Sequence, residues 1–233
     1  MDIRTVGPLL ELNKAVPSFE ESGLPPVPFS MRVMPGECVV VEARDPENAT
    51  QFADMCSGLV PLDEGSVKFM GLDWTELHDR EVNALRGRIG RITHRASWPT
   101  FLGTHLAITL QQLHHTNRPM DEVVAEAARL SEQFGLPGLP VLRPGLLSSA
   151  DLLRAGCVRA FMGRPRLLLL EDPLEASPVE LERAFLSALT DARDKGAGVI
   201  WLVRNNAIWQ GYQQGVTSMW RLADDGLVAV RTG

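Results

Sequence analysis

Residues 146–173 read LLSSADLLRAGCVRAFMGRPRLLLLEDP, and the way this stretch divides decides the fold. Ser148 and Ser149 stand where a helix start favours a hydroxyl cap, and 149–162 then follow as a helix. The four leucines at 167–170 suit a helix or a buried strand equally by periodicity. Their short run and their bounds, Pro165 and Pro173, select a strand.

The same alternation extends in both directions, which predicts an α/β fold. Upstream, 38–41 (CVVV) is a β-branched run that reads as a buried strand. An eight-residue polar loop follows, then a helix over 50–59 with Phe52, Met55, Cys56 and Leu59 on one face. Residues 67–69 read as a short strand, 75–86 as a helix and 89–93 as a strand. Residues 100–116 and 120–134 read as two helices, the second stopped by Gly135. The Pro- and Gly-rich 136–145 reads as a loop. Downstream, 178–195 is a predicted helix ending at Gly196 and 199–203 (VIWLV) a buried strand. The tail predicts a hairpin around Asp225-Gly226.

Composition narrows the function classes. The chain has 233 residues, 45% hydrophobic and 22% charged, which excludes disordered, collagenous and disulfide-stapled classes. A net charge of −6 argues against a nucleic-acid partner. The apolar runs are too short to span a bilayer, and the start, MDIRTVGPLLELNK, does not read as a signal peptide. Cys38, Cys56 and Cys157 are far apart and form no CxxC pair, so they are expected to be buried thiols in a reducing cytoplasm. His114-His115, with His105, are not expected to form a metal site, because adjacent helix residues diverge by about 100°. Trp201 and Trp209 are expected in the core or an interface.

Five landmarks, in this order, resemble the ATP-binding subunit of an ABC transporter: GECVVVEARDPENATQF, SGLVPLDEGSVKFMG, RIGRITHR, LLSSADLLRAGCVRAFMGRPRLLLLEDP and GAGVIWLVRN. The resemblance covers roughly 9–230, and 83–140 is similar to the ATPases of bacterial lipid-trafficking (MCE/Mla-type) importers. It implies a RecA-like P-loop NTPase core with an antiparallel β-subdomain and an inserted helical subdomain. The core and β-subdomain would span 1–94 and 159–233, and the helical subdomain 95–158. It also implies ATP and Mg²⁺ as cofactors, membrane permease subunits as partners, and a homo- or heterodimer with another ABC ATPase subunit. The implied location is cytoplasmic, peripheral on the inner face of the cell membrane.

The motifs themselves depart from the family. The octet at the phosphate-loop position GxxxxGK[ST] is Ala43-Arg44-Asp45-Pro46-Glu47-Asn48-Ala49-Thr50, in which only Thr50 survives. Both glycines are gone, Pro46 removes a backbone donor, and Ala49 stands at the lysine position. Residues 42–50 hold three acids and one base. A carboxylate ~5 Å from a phosphate charge repels it by roughly 3 kcal/mol at an effective dielectric near 20. Arg44 would replace the lysine only with a different geometry. The resemblance puts Thr50 and Glu171 at the Mg²⁺ positions, and Asp172 at the catalytic base, one methylene shorter than the family's glutamate. His94 stands at the Q-loop glutamine, Arg204 at the switch histidine, and Leu147-Ser148-Ser149-Ala150-Asp151 at the signature, whose serine remains in Ser148. Glu175-Ala176-Ser177-Pro178 stands at the D-loop and lacks its aspartate. An ion pair between Asp172 and Arg204 is expected if they are close. Phe19, at the adenine-stacking position, is expected to be a core residue.

Every catalytic position departs while the scaffold persists. The expectation is a pseudo-ATPase subunit, structural or regulatory, that docks on a permease. The alternative is an active ATPase with an atypical site using Arg44, Thr50, Glu171 and Asp172. A soluble regulator reusing the fold is a third reading.

Overall fold

Two β-sheets organise the chain, and the C-terminal ends of one sheet's parallel strands gather the residues singled out above. The structure, a computed structural model, describes residues 7–94, 98–174, 177–205 and 208–230. In chain order the elements are β1 (Leu10–Pro17), α1 (Phe19–Ser22), β2 (Phe29–Val33), β3 (Cys38–Glu42), α2 (Pro46–Cys56), β4 (Leu62–Phe69) and β5 (Leu72–Asp73). Then come α3 (Asp79–Arg86), β6 (Ile89–Ile92), α4 (Thr104–His115), α5 (Met120–Gln133) and α6 (Ser149–Phe161). The chain continues through β7 (Leu167–Glu171), α7 (Val179–Asp194), β8 (Gly198–Val203), β9 (Ser218–Ala223) and β10 (Gly226–Val230).

The larger sheet has the order β10-β9-β3-β8-β7-β6. Neighbours from β9 to β6 run parallel, and β10 is antiparallel to β9. Strands covered on both faces have no need of polar alternation. That is why CVVV, LLLL and VIWLV are unbroken apolar runs, all buried. The two-residue period still assigns each side chain to a face. Cys38, Val40, Leu168, Leu170, Val199 and Trp201 pack with α5, α6 and α7. Val39, Val41, Leu167, Leu169, Ile200 and Leu202 face the other way, onto α2 and the second sheet.

That second sheet has the order β2-β1-β4-β5 and is antiparallel. The period reading does not find β1, because its alternation breaks at Asn13 and Lys14. Both are exposed, Lys14 takes φ 47°, and the register with β2 and β4 shifts there. A bulge of this kind changes which residues face the core partway along one strand.

Other expectations shift by a few residues. The helix over 75–86 divides into a 3₁₀ turn at Trp74–Glu76 and α3. The helix over 100–116 begins at Thr104. The hairpin turn is Asp224-Asp225, since Ala223 pairs with Gly226, whose φ of 111° suits glycine. Gly90 marks the closest approach of β6 to α6. A Cβ there would lie 1.9 Å from the Ala160 carbonyl oxygen.

Trp201 is in the core, and all three cysteines are buried and free. Phe19 corrects its expectation: it is 58% exposed on the four-residue α1 and is not a core residue. The Trp209 side chain lies outside the described residues.

Candidate functional site

The connection from β3 to α2 is only Ala43-Arg44-Asp45. The helix expected at 50 starts at Pro46, so the eight-residue polar loop does not form. The physical reason is local. Proline at the first helical position has its φ preset and loses no needed donor. Asp45 caps the same end, its Oδ1 accepting from Glu47 N at 2.8 Å. Ala49 N donates to Asp45 O at 3.1 Å. An anion carried by the chain itself therefore occupies the helix end where a phosphate loop would present backbone donors.

The side chains of the octet diverge. Ala43 and Ala49 are buried in the core between α2 and the sheets. Arg44 is 81% exposed and sits 3.6 Å from the Glu42 carboxylate. Asp45 and Glu47 are exposed, and Asn48 is half-buried. Thr50 turns inward instead.

Thr50 Oγ1 donates to Glu171 Oε2 at 2.6 Å. Glu171 ends β7 and is almost fully buried. Its Oε2 also accepts from His94 N at 3.2 Å, and its Oε1 accepts from Arg91 Nη2 at 3.0 Å and Nε at 3.2 Å. Arg91 completes its fork on the Asp54 carboxylate and on Thr50 O. Burial disfavours the Arg91 cation, but hydrogen bonds and attraction from Asp54 and Glu171 outweigh that and raise its pKa. Arg91 and Asp54 were missed by sequence reasoning. The available signal was an arginine inside the short strand IGRI, where a cation needs buried partners.

Asp172 and Arg204 form the expected ion pair. Arg204 Nε donates to Asp172 Oδ2 at 3.0 Å, and Arg204 N donates to Oδ1 at 3.2 Å. Asp172 takes φ 42°, a left-handed conformation that aspartate tolerates better than most residues, and its N donates to Leu202 O at 2.9 Å. The acid at the base position and the cation at the switch position are thus bound to each other.

Ser148 caps α6, accepting from Asp151 N at 3.1 Å and donating to Asp151 Oδ2 at 2.8 Å. A cleft of about 250 Å³ lies between α6 and the ends of β6 and β7, lined by His94, Ser149, Leu152, Arg159, Glu171 and Asp172. The structure thus brings Thr50, His94 and Glu171 together, and pairs Asp172 with Arg204. It holds Arg44 and Ser148 to other partners. Of the D-loop positions, Glu175 and Ala176 lie outside the described residues, and Ser177 Oγ donates to Leu174 O.

The donors do not fit Mg²⁺ as arranged. Mg²⁺ takes near-octahedral oxygen ligands at about 2.0–2.1 Å. The Thr50 oxygen keeps its lone pairs, but both Glu171 oxygens are already held, Oε2 by Thr50 Oγ1 and His94 N and Oε1 by the Arg91 fork. Among the described residues no group of three or more His, Cys, Asp and Glu is placed to hold a metal. No helix among them is long and apolar enough to cross a membrane.

No protein-family model matches the chain. It is similar to the methionine import ATP-binding protein MetN of Rhizobium etli, 27% identical over 203 residues that cover 86% of this chain and 56% of that protein. It is also similar to the intermembrane phospholipid transport system ATP-binding protein MlaF of Haemophilus influenzae, 24% identical over 145 residues, 62% of this chain and 55% of that one. The chain therefore spans about half the length of these curated relatives. A dimeric bacterial ABC transporter cassette superposes with a TM-score of 0.81 over 96% of this chain and 100% of that one, at 16% identity. The homologues of this chain are ATP-binding subunits of ABC transporters, and its fold is that of the ABC ATPase cassette.

Proposed function

We propose that the chain is a pseudo-ATPase subunit of an ABC transporter, acting through its fold rather than through hydrolysis at its own phosphate site. One observation carries the reading: Thr50 and Glu171, the two Mg²⁺ positions, are hydrogen-bonded to each other and clamped by the Arg91 cation. The short, Asp45-capped β3–α2 connection supports it from the phosphate side. A loop of three residues has no length to wrap a triphosphate, and the Asp45 carboxylate at its end opposes one.

The reading extends to partners and place. The subunit docks a membrane permease from the cytoplasmic side and pairs with a second ATPase subunit or with itself. The dimeric cassette among the structural neighbours supports the pairing. Its helical subdomain, 95–158, would lie beside the permease groove. The likeness to MlaF supports lipid cargo, and the likeness to MetN supports methionine equally well.

A calorimetric titration of the purified chain with Mg-ATP, run beside a phosphate-release assay, tests the proposal. No binding at millimolar nucleotide and no release are expected. Micromolar binding, or release that Asp172→Asn abolishes, would overturn it in favour of the atypical active site.

A further inference from the structure

The far end of β7 from Glu171 opens onto a second, larger cleft. It holds about 960 Å³ between α5, the turn after α6 and the last turns of α7. Arg118, Arg129, Arg164, Arg166 and Lys195 line it, against two acids, Glu126 and Asp191. That is a cationic surplus inside a chain whose net charge is −6.

Arg118 alone of these cations has its ion pair inside the cleft among the described residues. Glu126 is engaged twice, by Arg118 Nη1 at 2.5 Å and by Gly163 N at 3.2 Å. Among the described residues Arg129 reaches only Gln133 Oε1, at 3.5 Å. Among the described residues, Arg164, Arg166 and Lys195 make no side-chain ion pair. Arg166 adds a second observation. Its Nε is buried and has no hydrogen-bond partner. Such a group calls for an explanation. Arg166 as a whole is half-buried, and a cation partly shielded from water attracts an anion more strongly than a fully exposed one does.

The concavity argues for a ligand rather than a solvated surface. Its volume lies within the range of small-molecule sites. Guanidinium forks suit phosphate oxygens in pairs. We infer that this cleft binds a small polyanion carrying two or more phosphate groups, at a site separate from the β3–α2 connection. The strand between them, 167–171, sets the two sites roughly 16 Å apart. This inference is independent of whether the chain hydrolyses ATP.

The test is calorimetry of the whole chain with inorganic tripolyphosphate at low salt. The double variant Arg164→Gln/Lys195→Gln and the distant control Arg32→Gln run beside it. Arg164 and Lys195 are exposed, so their loss leaves the core intact. One-to-one binding is expected, weakened about tenfold or more by the double variant and unchanged by the control. Raising the salt from about 0.01 to about 0.1 M should weaken it further, as the Debye length falls from about 30 to about 10 Å. A second arm offers vesicles containing cardiolipin, whose headgroup carries two phosphates. Vesicle capture lost in the double variant identifies the phosphate as a lipid headgroup, and tripolyphosphate binding without capture identifies a soluble ligand. No binding at millimolar tripolyphosphate, or binding indifferent to the double variant, overturns the inference.

Discussion

The Thr50 hydroxyl donates to Glu171 Oε2 at 2.6 Å, and the Arg91 fork closes the other face of the same carboxylate. The group is almost fully buried, so its charge is compensated by the chain itself. A buried pair of this kind is expensive to break on one side and cheap to remove on both.

Arg91→Met should therefore destabilise the protein by about 3–5 kcal/mol, because Glu171 is left buried without a cation. The double variant Arg91→Met/Glu171→Gln should regain most of that loss. Urea unfolding of the four members of this cycle measures the coupling. Equal losses in the single and double variants would mean that Arg91 acts by packing alone.

Thr50→Val keeps the shape of the side chain and deletes its hydrogen bond. The cost should be about 1.5–3 kcal/mol, the range for a hydrogen bond to a charged group. Thermal unfolding in Mg²⁺ and in chelator should give the same midpoint for the wild type, since both Glu171 oxygens are held by protein donors, Thr50 Oγ1 among them. A midpoint that rises with Mg²⁺ would show that the ion displaces Arg91.

What was legible in the sequence followed the physics of burial. β3 and β8 were plain because strands covered on both faces are unbroken apolar runs, whereas β7 needed its short length and bounding prolines to be told from a helix. β1 was not, because Asn13 and Lys14 interrupt its alternation at a bulge. The α2 start was misplaced for a different reason. The apolar spacing of Phe52, Met55, Cys56 and Leu59 placed the start at Thr50, although Asp45-Pro46-Glu47 is itself a helix-start signal. The Asp172–Arg204 pair was legible from charge alone, whereas Arg91 needed the register of β6 against β7 to bring it to Glu171.

The thiols give the pH dependence. Burial pushes Cys38 and Cys157 up to about 12, against a smaller opposing pull from nearby arginines, and pushes Cys56 up as well. A folded pKa above the unfolded value gives stability that is complete below the unfolded pKa, near 9, and is lost as pH rises towards about 12. Native protein should resist thiol reagents at pH 8, and its unfolding free energy should fall above pH 9. Replacing Cys157 with Ala should flatten that fall. An unchanged slope would assign it to other groups.

Gly90→Ala probes a tight contact between β6 and α6. Its Cβ would lie 1.9 Å from the Ala160 carbonyl oxygen, a backbone atom that no rotamer change removes. Either β6 or α6 must shift, at a cost of about 1–3 kcal/mol. Because Arg91 follows in the same strand, the shift should also weaken its grip on Glu171. Unfolding of Gly90→Ala in the Arg91→Met background should then be less than additive.

Ala49→Lys restores the residue type of the phosphate-loop lysine and should restore nothing else. Ala49 is 5% exposed, inside α2, among Val41, Phe52 and Leu202. A lysine there meets a packed apolar interior, where its charge has no partner and its volume no space. We expect a loss of several kcal/mol, on the order of that for other buried unpaired charges, and no gain in Mg-ATP binding. Replacing the whole of 43–50 with a glycine-rich phosphate loop is the informative contrast. It removes the Asp45 cap and Pro46 together, so the helix can begin later and free its first backbone donors. Nucleotide binding by that chimaera, with none by Ala49→Lys, would locate the defect in the backbone of the β3–α2 connection. Binding by the single variant would locate it in the missing cation, and the short helix cap would then carry no functional weight.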